Sequence, residues 1–578
     1  MVKQKDNSPN NRRQSLLQLL LLLAILVVVN ILAAYVYTRF DLTKERRYSL
    51  APGTKELLSN LPDVVFIKVY LEGDFPPGFQ KLRAGVKDLL AEMRRASNGM
   101  LEYEFINPAN QPDERTVNEL YEQLYKLGLQ PTDLQNRNAD GVERKVIWPG
   151  GMVYYRNKEI AANFLLGAGA GSSPLEIINA SEEALEYTIA NAIKKATMLY
   201  KPKIAFTEGH EELDGRATSD IARALSEFYQ LTRYDLRTIE PIPDDIDLLV
   251  IAKPAARFSD WHKFKIDNFI MRGGKVLWLL DALHAEMDSM TPENFFMAMS
   301  RELNLDDMLF KYGVRINADL VQDVKASRIP IVYGTIGGQP QQKLFPWFYY
   351  PLISGETEHP IVRNLDPIAF RFVSSIDLIE SEGVQASVLL RSSNLSRKLM
   401  APVRVNLQLA TEQSKEEQFN KPHQPVAVLL EGQFKSYFEK RYLNEFAVQA
   451  IDSLGMEKRA SSQPTKMIVI SDGDVIQNHV RKNTGEIYPL GFDRYTNQMY
   501  GNKVFLMNAI DYLLDDAGLI NVRAKQITLR MLDAKKVKEQ RTAWQFLNLA
   551  VPVFLLLGFG FFRHLWRKKR YARKSNIA

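Results

Sequence analysis

An α/β protein built of several domains and tethered to a membrane near both termini is what this sequence predicts. Three observations carry the prediction. A long apolar segment stands near each terminus. Between them, short apolar runs alternate with stretches of helical period. And 578 residues exceed what one core organises, since single cores stop growing at about 250–300 residues. The apolar and charged fractions, 46% and 25%, are those of folded chains rather than disordered ones. A net charge of +6 is small for this length and makes no case for a nucleic-acid partner. Cysteine is absent. That excludes disulfides, thiolate zinc sites, iron–sulfur clusters, thiol catalysis and lipid attachment through an N-terminal cysteine.

The first apolar segment, Leu16 to Tyr37, is broken mainly by Gln18 and Asn30. About twenty such residues rise roughly 30 Å as a helix, the depth of a bilayer core. A cleaved secretory signal would be shorter and end at small residues, for which Ala33-Ala34 is a weak candidate. The second segment, Trp544 to Phe562, is followed at once by Arg563, Arg567, Lys568, Lys569, Arg570, Arg573 and Lys574, with no acid among them. Such flanks stay in the cytoplasm. Lys3, Lys5, Arg12 and Arg13 place the other end there too. The chain between is then extracytoplasmic, on the far side of the membrane. Gly558 and Gly560 permit close helix approach, although glycine also occurs on lipid-facing helices.

The expected organisation follows: a cytoplasmic N-terminus over 1–15, a span over 16–38 and a thioredoxin-like domain over 39–200. A second α/β domain, with a Rossmann-like or flavodoxin-like parallel sheet, covers 201–515 and carries an insertion at about 290–420. A stalk over 516–543, a span over 544–562 and a basic cytoplasmic tail over 563–578 complete it. In the first domain, strands are expected at Val64–Leu71 and Leu101–Asn107, and helices at Phe79–Ala96 and about Thr116–Leu127. A hairpin follows near Arg144–Trp148 and Met152–Arg156. That order is thioredoxin-like, used as a scaffold since no cysteine is present. "GAGAGSS" (Gly167–Ser173) lacks both the third glycine of a dinucleotide loop and the G-K-[ST] of a P-loop, and reads as a loop tip. No Walker A occurs, because Gly274-Lys275 is followed by Val276. A helix over Ala180–Ala196 is expected with Ser181 as its cap.

In the second domain, strands are expected at Ile204–Phe206, Leu231–Leu236, Asp247–Pro254 and Lys275–Asp281, with helices at Ser219–Phe228 and Trp261–Met271. Apolar strands return at Pro425–Gly432 and Lys466–Asp474, and a closing helix at Phe505–Leu514. Continuous apolar strands alternating with helices imply a parallel sheet covered on both faces, with ligands beyond the strand C-termini.

Two acidic loops lie at that edge. "FTEGHEE" supplies Glu208, His210 and Glu211, and "ISDGD" supplies Asp472 and Asp474. These five are the candidate ligand- or partner-binding residues. A catalytic or metal reading makes His210 a base or ligand, with Asp472 and Asp474 adding hard oxygens for magnesium or calcium. The bland reading is a helix-entry loop and an Asp-Gly turn that bonds its own backbone. The histidines at 210, 262, 284, 359, 423, 479 and 564 form no zinc spacing. Neither a G-x-S-x-G nor a triad order is present. The reading is therefore non-enzymatic, with no cofactor, no metal and no assigned catalytic residue. A periplasmic ligand-binding module and a metal-dependent hydrolase are the alternatives.

Six stretches together resemble one family: "RRYSLAPGTKELLSNL" (Arg46–Leu61), "FTEGHEE" (Phe206–Glu212), "RGGKVLWLLD" (Arg272–Asp281), "HPIVRNLDPI" (His359–Ile368), "VAVLLEGQFKSYFEKR" (Val426–Arg441) and "VISDGD" (Val469–Asp474). The chain resembles the gliding-motility-associated ABC-transporter auxiliary proteins, the GldG family of the Bacteroidota. The resemblance implies a non-ATPase, substrate-binding or auxiliary subunit that works with a separate ATPase and a multi-span permease. It also implies a link to gliding motility, and a body distantly similar to intraflagellar-transport proteins. It implies no catalytic residue. Gly209-His210-Glu211, with Glu212 as the final acid, is then a family signature.

Overall fold

The computed structural model describes residues 17–29, 49–138, 141–165, 174–198, 200–291, 294–336, 339–355, 359–363, 365–411, 416–441, 445–481, 484–515 and 534–572. The expected N-terminal segment 1–15, the ends of the first span, the start of the first domain to residue 48, the glycine-rich loop at 167–173, most of the stalk (516–533) and the tail end 573–578 lie outside them. The chain forms two units, Met1–Lys525 and Gln526–Ala578.

The first domain is built on a mixed sheet. β1 (Val65–Val69) and β2 (Leu101–Phe105) are parallel, joined by the helix Pro77–Ala96. That helix buries Phe79, Leu82, Val86, Leu90 and Met93 along one stripe, as its 3–4 spacing requires. The helix Glu114–Lys126 is capped by Asp113, whose carboxylate accepts from Thr116 N. β3 (Thr132–Asn138) and β4 (Gly141–Ile147) pair only with each other. β5 (Gly150–Tyr155) and β6 (Lys158–Asn163) form the hairpin that completes the sheet, in the order β2-β1-β5-β6 with β5 antiparallel to β1.

Two expectations change here. The hairpin expected from 144–148 and 152–156 is split, because its first strand leaves the sheet to pair with the polar β3. Ser181 is no cap. The helix runs Pro174–Thr197, and the Ser181 hydroxyl donates back to Ile177 O at 2.7 Å inside it.

In the second domain, β7 (Lys203–Glu208), β8 (Gln230–Asp235), β9 (Leu248–Ala252) and β10 (Lys275–Leu279) join the strand Thr465–Ile470 in one parallel array, ordered β8-β7-β9-β10 and then 465–470. Two further strands, Pro425–Gly432 and Val384–Arg391, extend it antiparallel, so the sheet is mixed rather than wholly parallel. Apolar continuity reports burial on both faces, not direction, which is why the sequence pattern could not separate these strands. Val384–Arg391 lies inside the span read as an insertion, yet it forms an edge of the main sheet.

Alternation along these strands feeds two cores. Leu248 and Val250 of β9, Leu277 of β10 and Ile468 face one side; Leu249, Ile251, Trp278 and Val469 face the other. The first face is covered by Ser219–Ser226 and Asn502–Leu513, through Ile221, Leu225, Phe505 and Ala509. The second is covered by Asp260–Met271, through Phe264, Ile266 and Ile270. The first core runs on into the N-terminal domain through Ile189, Ile193 and Ala196 of the helix Pro174–Thr197. Lys194 to Asp515 (2.6 Å) and Lys195 to Asp511 (3.3 Å) pin the same helix. The rest of the insertion is short strands around Phe296, Trp347, Tyr349 and Phe372, with a long hairpin of Ala326–Ile336 against Gln339–Ile353.

In the second unit, Ala534–Ala572 is one helix of 39 residues with Pro552 inside it. Its segment Gln540–Lys569 is the one helix among the described residues that is long and apolar enough to cross a membrane. The expected stalk and span are thus continuous helix from residue 534 on. At the other end, Leu17–Val29 is a shorter apolar helix.

A backbone contact at the antiparallel edge gives a test of the fold. Gly432 has φ +134°, and a Cβ there would stand 2.1 Å from Gly383 O. Gly432→Ala should lower stability by more than about 2 kcal/mol in chemical denaturation, because neither side of the contact is a movable side chain.

Candidate ligand-binding cleft

Three parallel strands deliver charged residues to one point. β9 is followed by Lys253, in the left-handed region at φ +53°. Its ammonium lies 2.6 Å from Asp474 Oδ1, 3.5 Å from Glu286 and 3.6 Å from Asp281. Asp281 follows β10, and Asp474 follows the strand 465–470. Gly473 lets the two chains approach: a Cβ at that position would meet Lys253 Cβ at 2.4 Å and Cα at 2.9 Å. Its N–H donates to Asp281 Oδ1 at 2.6 Å.

Asp472 faces inward and is spent on backbone. Its Oδ1 accepts from Asp474 N at 2.7 Å and its Oδ2 from Arg371 N at 2.6 Å. This is the Asp-Gly turn, the bland reading of "ISDGD". Burial pushes the Asp472 carboxyl well above the usual range, and the charges of Asp474 and Asp281 push the same way. Burial, then Asp474, raises Asp281 to about 6. Burial works against the Lys253 ammonium, but the carboxylates around it win and hold it charged. The ammonium thus sits among three carboxylates, those of Asp474, Glu286 and Asp281.

The "FTEGHEE" loop divides. Glu208 ends β7 and pairs with Arg233 at 2.9 Å. His210 is 2% exposed. Its carbonyl accepts from Ala255 N (2.8 Å) and Ala256 N (3.0 Å), which ties the loop to the one after β9. Its ring stacks on Phe258 at 3.7 Å, and its Nε2 lies 2.8 Å from His262 Nδ1. Glu212 accepts from His210 N at 2.6 Å and stands 3.6 Å from His210 Nδ1. Burial alone would raise the Glu212 carboxyl, yet its bonds to His210 bring it below its ordinary value. Burial, then the neighbouring His210, depresses His262 to about 4. The two histidines are 52 positions apart and met by tertiary folding, so no spacing rule could find them.

Glu211, at φ +58°, points elsewhere. With Lys253 and Asp474 it lines a cleft of ≈ 880 Å³ between the C-terminal edge of the parallel strands and the insertion. Arg328, Tyr350, Phe370 and Arg371 form the insertion's wall, and residues 477–481 and 489–495 close one end. Of the five sequence candidates, Glu211 and Asp474 reach the cleft and Asp472 braces its floor. Glu208 and His210 are not part of its lining. Sequence reasoning missed Lys253, Arg328 and Arg371, which are ordinary cations until the fold gathers them. The signal available was the position of Lys253, directly after an all-apolar strand.

Two predictions concern the clasp. Lys253→Met leaves carboxylates buried without their cation, which should cost about 3–5 kcal/mol. The melting temperature of that variant should rise with added Mg²⁺ or Ca²⁺ while the wild type's does not. The second concerns Asp281, whose folded value of about 6 exceeds the ordinary 3.8. The native state therefore holds a proton that the unfolded chain has released. That contribution is complete below about pH 4 and is lost as pH rises through about 6. Urea unfolding across this window should show the wild type losing stability relative to Asp281→Asn.

The model of a family described as "ABC-type uncharacterized transport system" matches residues 201–509, more than half of the chain. A model described as a domain of unknown function (DUF7088) matches residues 44–154. An "Uncharacterized protein" of Borreliella burgdorferi is 21% identical over 543 residues, covering 92% of this chain and 94% of that protein. A solved structure, "mmIFT52 N-terminal domain", aligns with 12% identity over 54% of this chain and 96% of its own, at a TM-score of 0.29.

Proposed function

This chain belongs to the ABC-type transport auxiliary family whose model it matches, and from that premise we propose that it is a membrane-anchored, non-catalytic subunit working with a separate ATPase and permease. The family match over 201–509 is the observation that carries this reading. Two features of the chain support it. It has no Walker A motif with which to hydrolyse ATP itself. It has a helix of membrane-spanning length as well as a large folded body.

In this proposal the first apolar segment is a second anchor, both termini are cytoplasmic and the body is periplasmic. The basic residues after position 562 support that orientation. The domain at 39–200 serves as a thioredoxin-like scaffold, a reading supported by the order β2-β1-β5-β6 and the antiparallel β5. The gliding-motility assignment rests on the six stretches that resemble the GldG family.

A second reading is favoured by one observation. The cleft at the strand C-termini has the size and placement of a ligand site, about 300–1,000 Å³ being usual. In that reading the body captures a small molecule and presents it to the transporter.

Affinity purification of the tagged full-length chain in mild detergent tests the subunit proposal. An ATPase and a multi-span membrane protein should copurify in fixed ratio. Recovery of the chain alone, from cells of its native host, overturns it.

A further inference from the structure

The cleft gathers guanidiniums that its own acids do not pair. Arg301, Arg328, Arg371 and Arg494 all line it, from four separate segments of chain. None has a carboxylate within 4.0 Å among the described residues. The Arg301 Nε–H is buried and has no acceptor there, while its Nη2 meets only His284 Nδ1 at 3.1 Å. Arg494 bonds His479 Nε2 at 3.0 Å and Tyr495 Oη at 2.5 Å, neither of them a carboxylate. Arg371 lies over the Tyr350 ring, 5.7 Å from its centre.

Most of the acids nearby are already engaged. Asp474 and Glu286 face Lys253. Asp493 accepts from Tyr495 N at 2.9 Å, Thr496 Oγ1 at 2.7 Å and Ser327 Oγ at 3.3 Å. Glu211 and Asp288 complete the acidic part of the wall. A guanidinium is satisfied best by a carboxylate or phosphate that takes two of its N–H groups at once. Guanidiniums spread over four segments call for more than one such group, and ≈ 880 Å³ holds far more than a single inorganic ion.

We propose that this cleft receives a small organic polyanion, one that carries two or more carboxylate or phosphate groups. The proposal rests on the ligand-binding reading above and adds the chemistry of the ligand. Arg371 and Arg328 grip the anionic groups, and the Lys253 clasp keeps the floor from repelling them.

Isothermal titration of the full-length chain in detergent micelles tests it, with citrate and pyrophosphate as probes and spermidine and maltose as controls. One or both anions should bind with Kd of about 1 mM or tighter, and more weakly as NaCl is raised. Arg371→Ala and Arg328→Gln, on separate segments, should each weaken binding about tenfold or more without lowering the melting temperature. Citrate alone points to a carboxylate ligand, pyrophosphate alone to a phosphate ligand. Binding of neither anion overturns the proposal, and so does binding that both variants leave unchanged. Spermidine or maltose binding without the anions overturns the polyanion while leaving a ligand-binding body. Copurification with transporter components is unaffected by any of these results, so the subunit reading is judged separately.

Discussion

The ammonium of Lys253 holds the working edge of this molecule together. Three strand ends bring Asp281, Asp474 and Lys253 itself to one place, and their charges could not stay there unpaired. The backbone yields to make the meeting possible. Lys253 adopts a left-handed conformation and residue 473 carries no side chain. The geometry of the cleft floor follows from that arrangement. Asp472 is then free to bond Arg371 N, and this bond fixes the start of the opposite wall to the sheet. One buried cation thus registers the insertion against the main domain.

The body is not two independent beads. The helix Pro174–Thr197 contributes to the same core as β7 and β9 of the main sheet, and to the one beneath β1. Arg363 of the second domain also reaches Glu183 on this helix at 3.2 Å. A continuous apolar core of this kind resists hinge motion between the sheets, because opening it would expose side chains that are now fully buried. Movement imposed on one domain is carried by the other.

Much of this was legible in the sequence. β7, β9 and β10 carry apolar runs followed by glycine, lysine or acid, the pattern of a buried strand ending at a polar edge. The helices with a single apolar stripe, such as Pro77–Ala96, were equally plain. β3 was not, since "TDLQNRN" has no apolar alternation and is a strand only because β4 lies beside it. Ser181 looked like a cap because the helix start at Pro174 was hidden behind a glycine-rich stretch. The acidic loops were found, but their division of labour was not. Whether His210 faces a cleft or stacks on Phe258 depends on a residue 48 positions away. The arginines of the wall come from parts of the insertion with no periodicity to read.

The proline at 552 sits within the long C-terminal helix, where it has no N–H to give. The carbonyl of Asn548, one turn earlier, is left without its usual intrahelical donor. In water this would matter little. In hydrocarbon an unmet carbonyl is expensive, and the bilayer itself has nothing to offer it. A lone helix would have to bend or admit water at that level, whereas a neighbouring transmembrane segment with a hydroxyl or amide at the same depth would relieve it. This helix is therefore poorly suited to solitude in lipid.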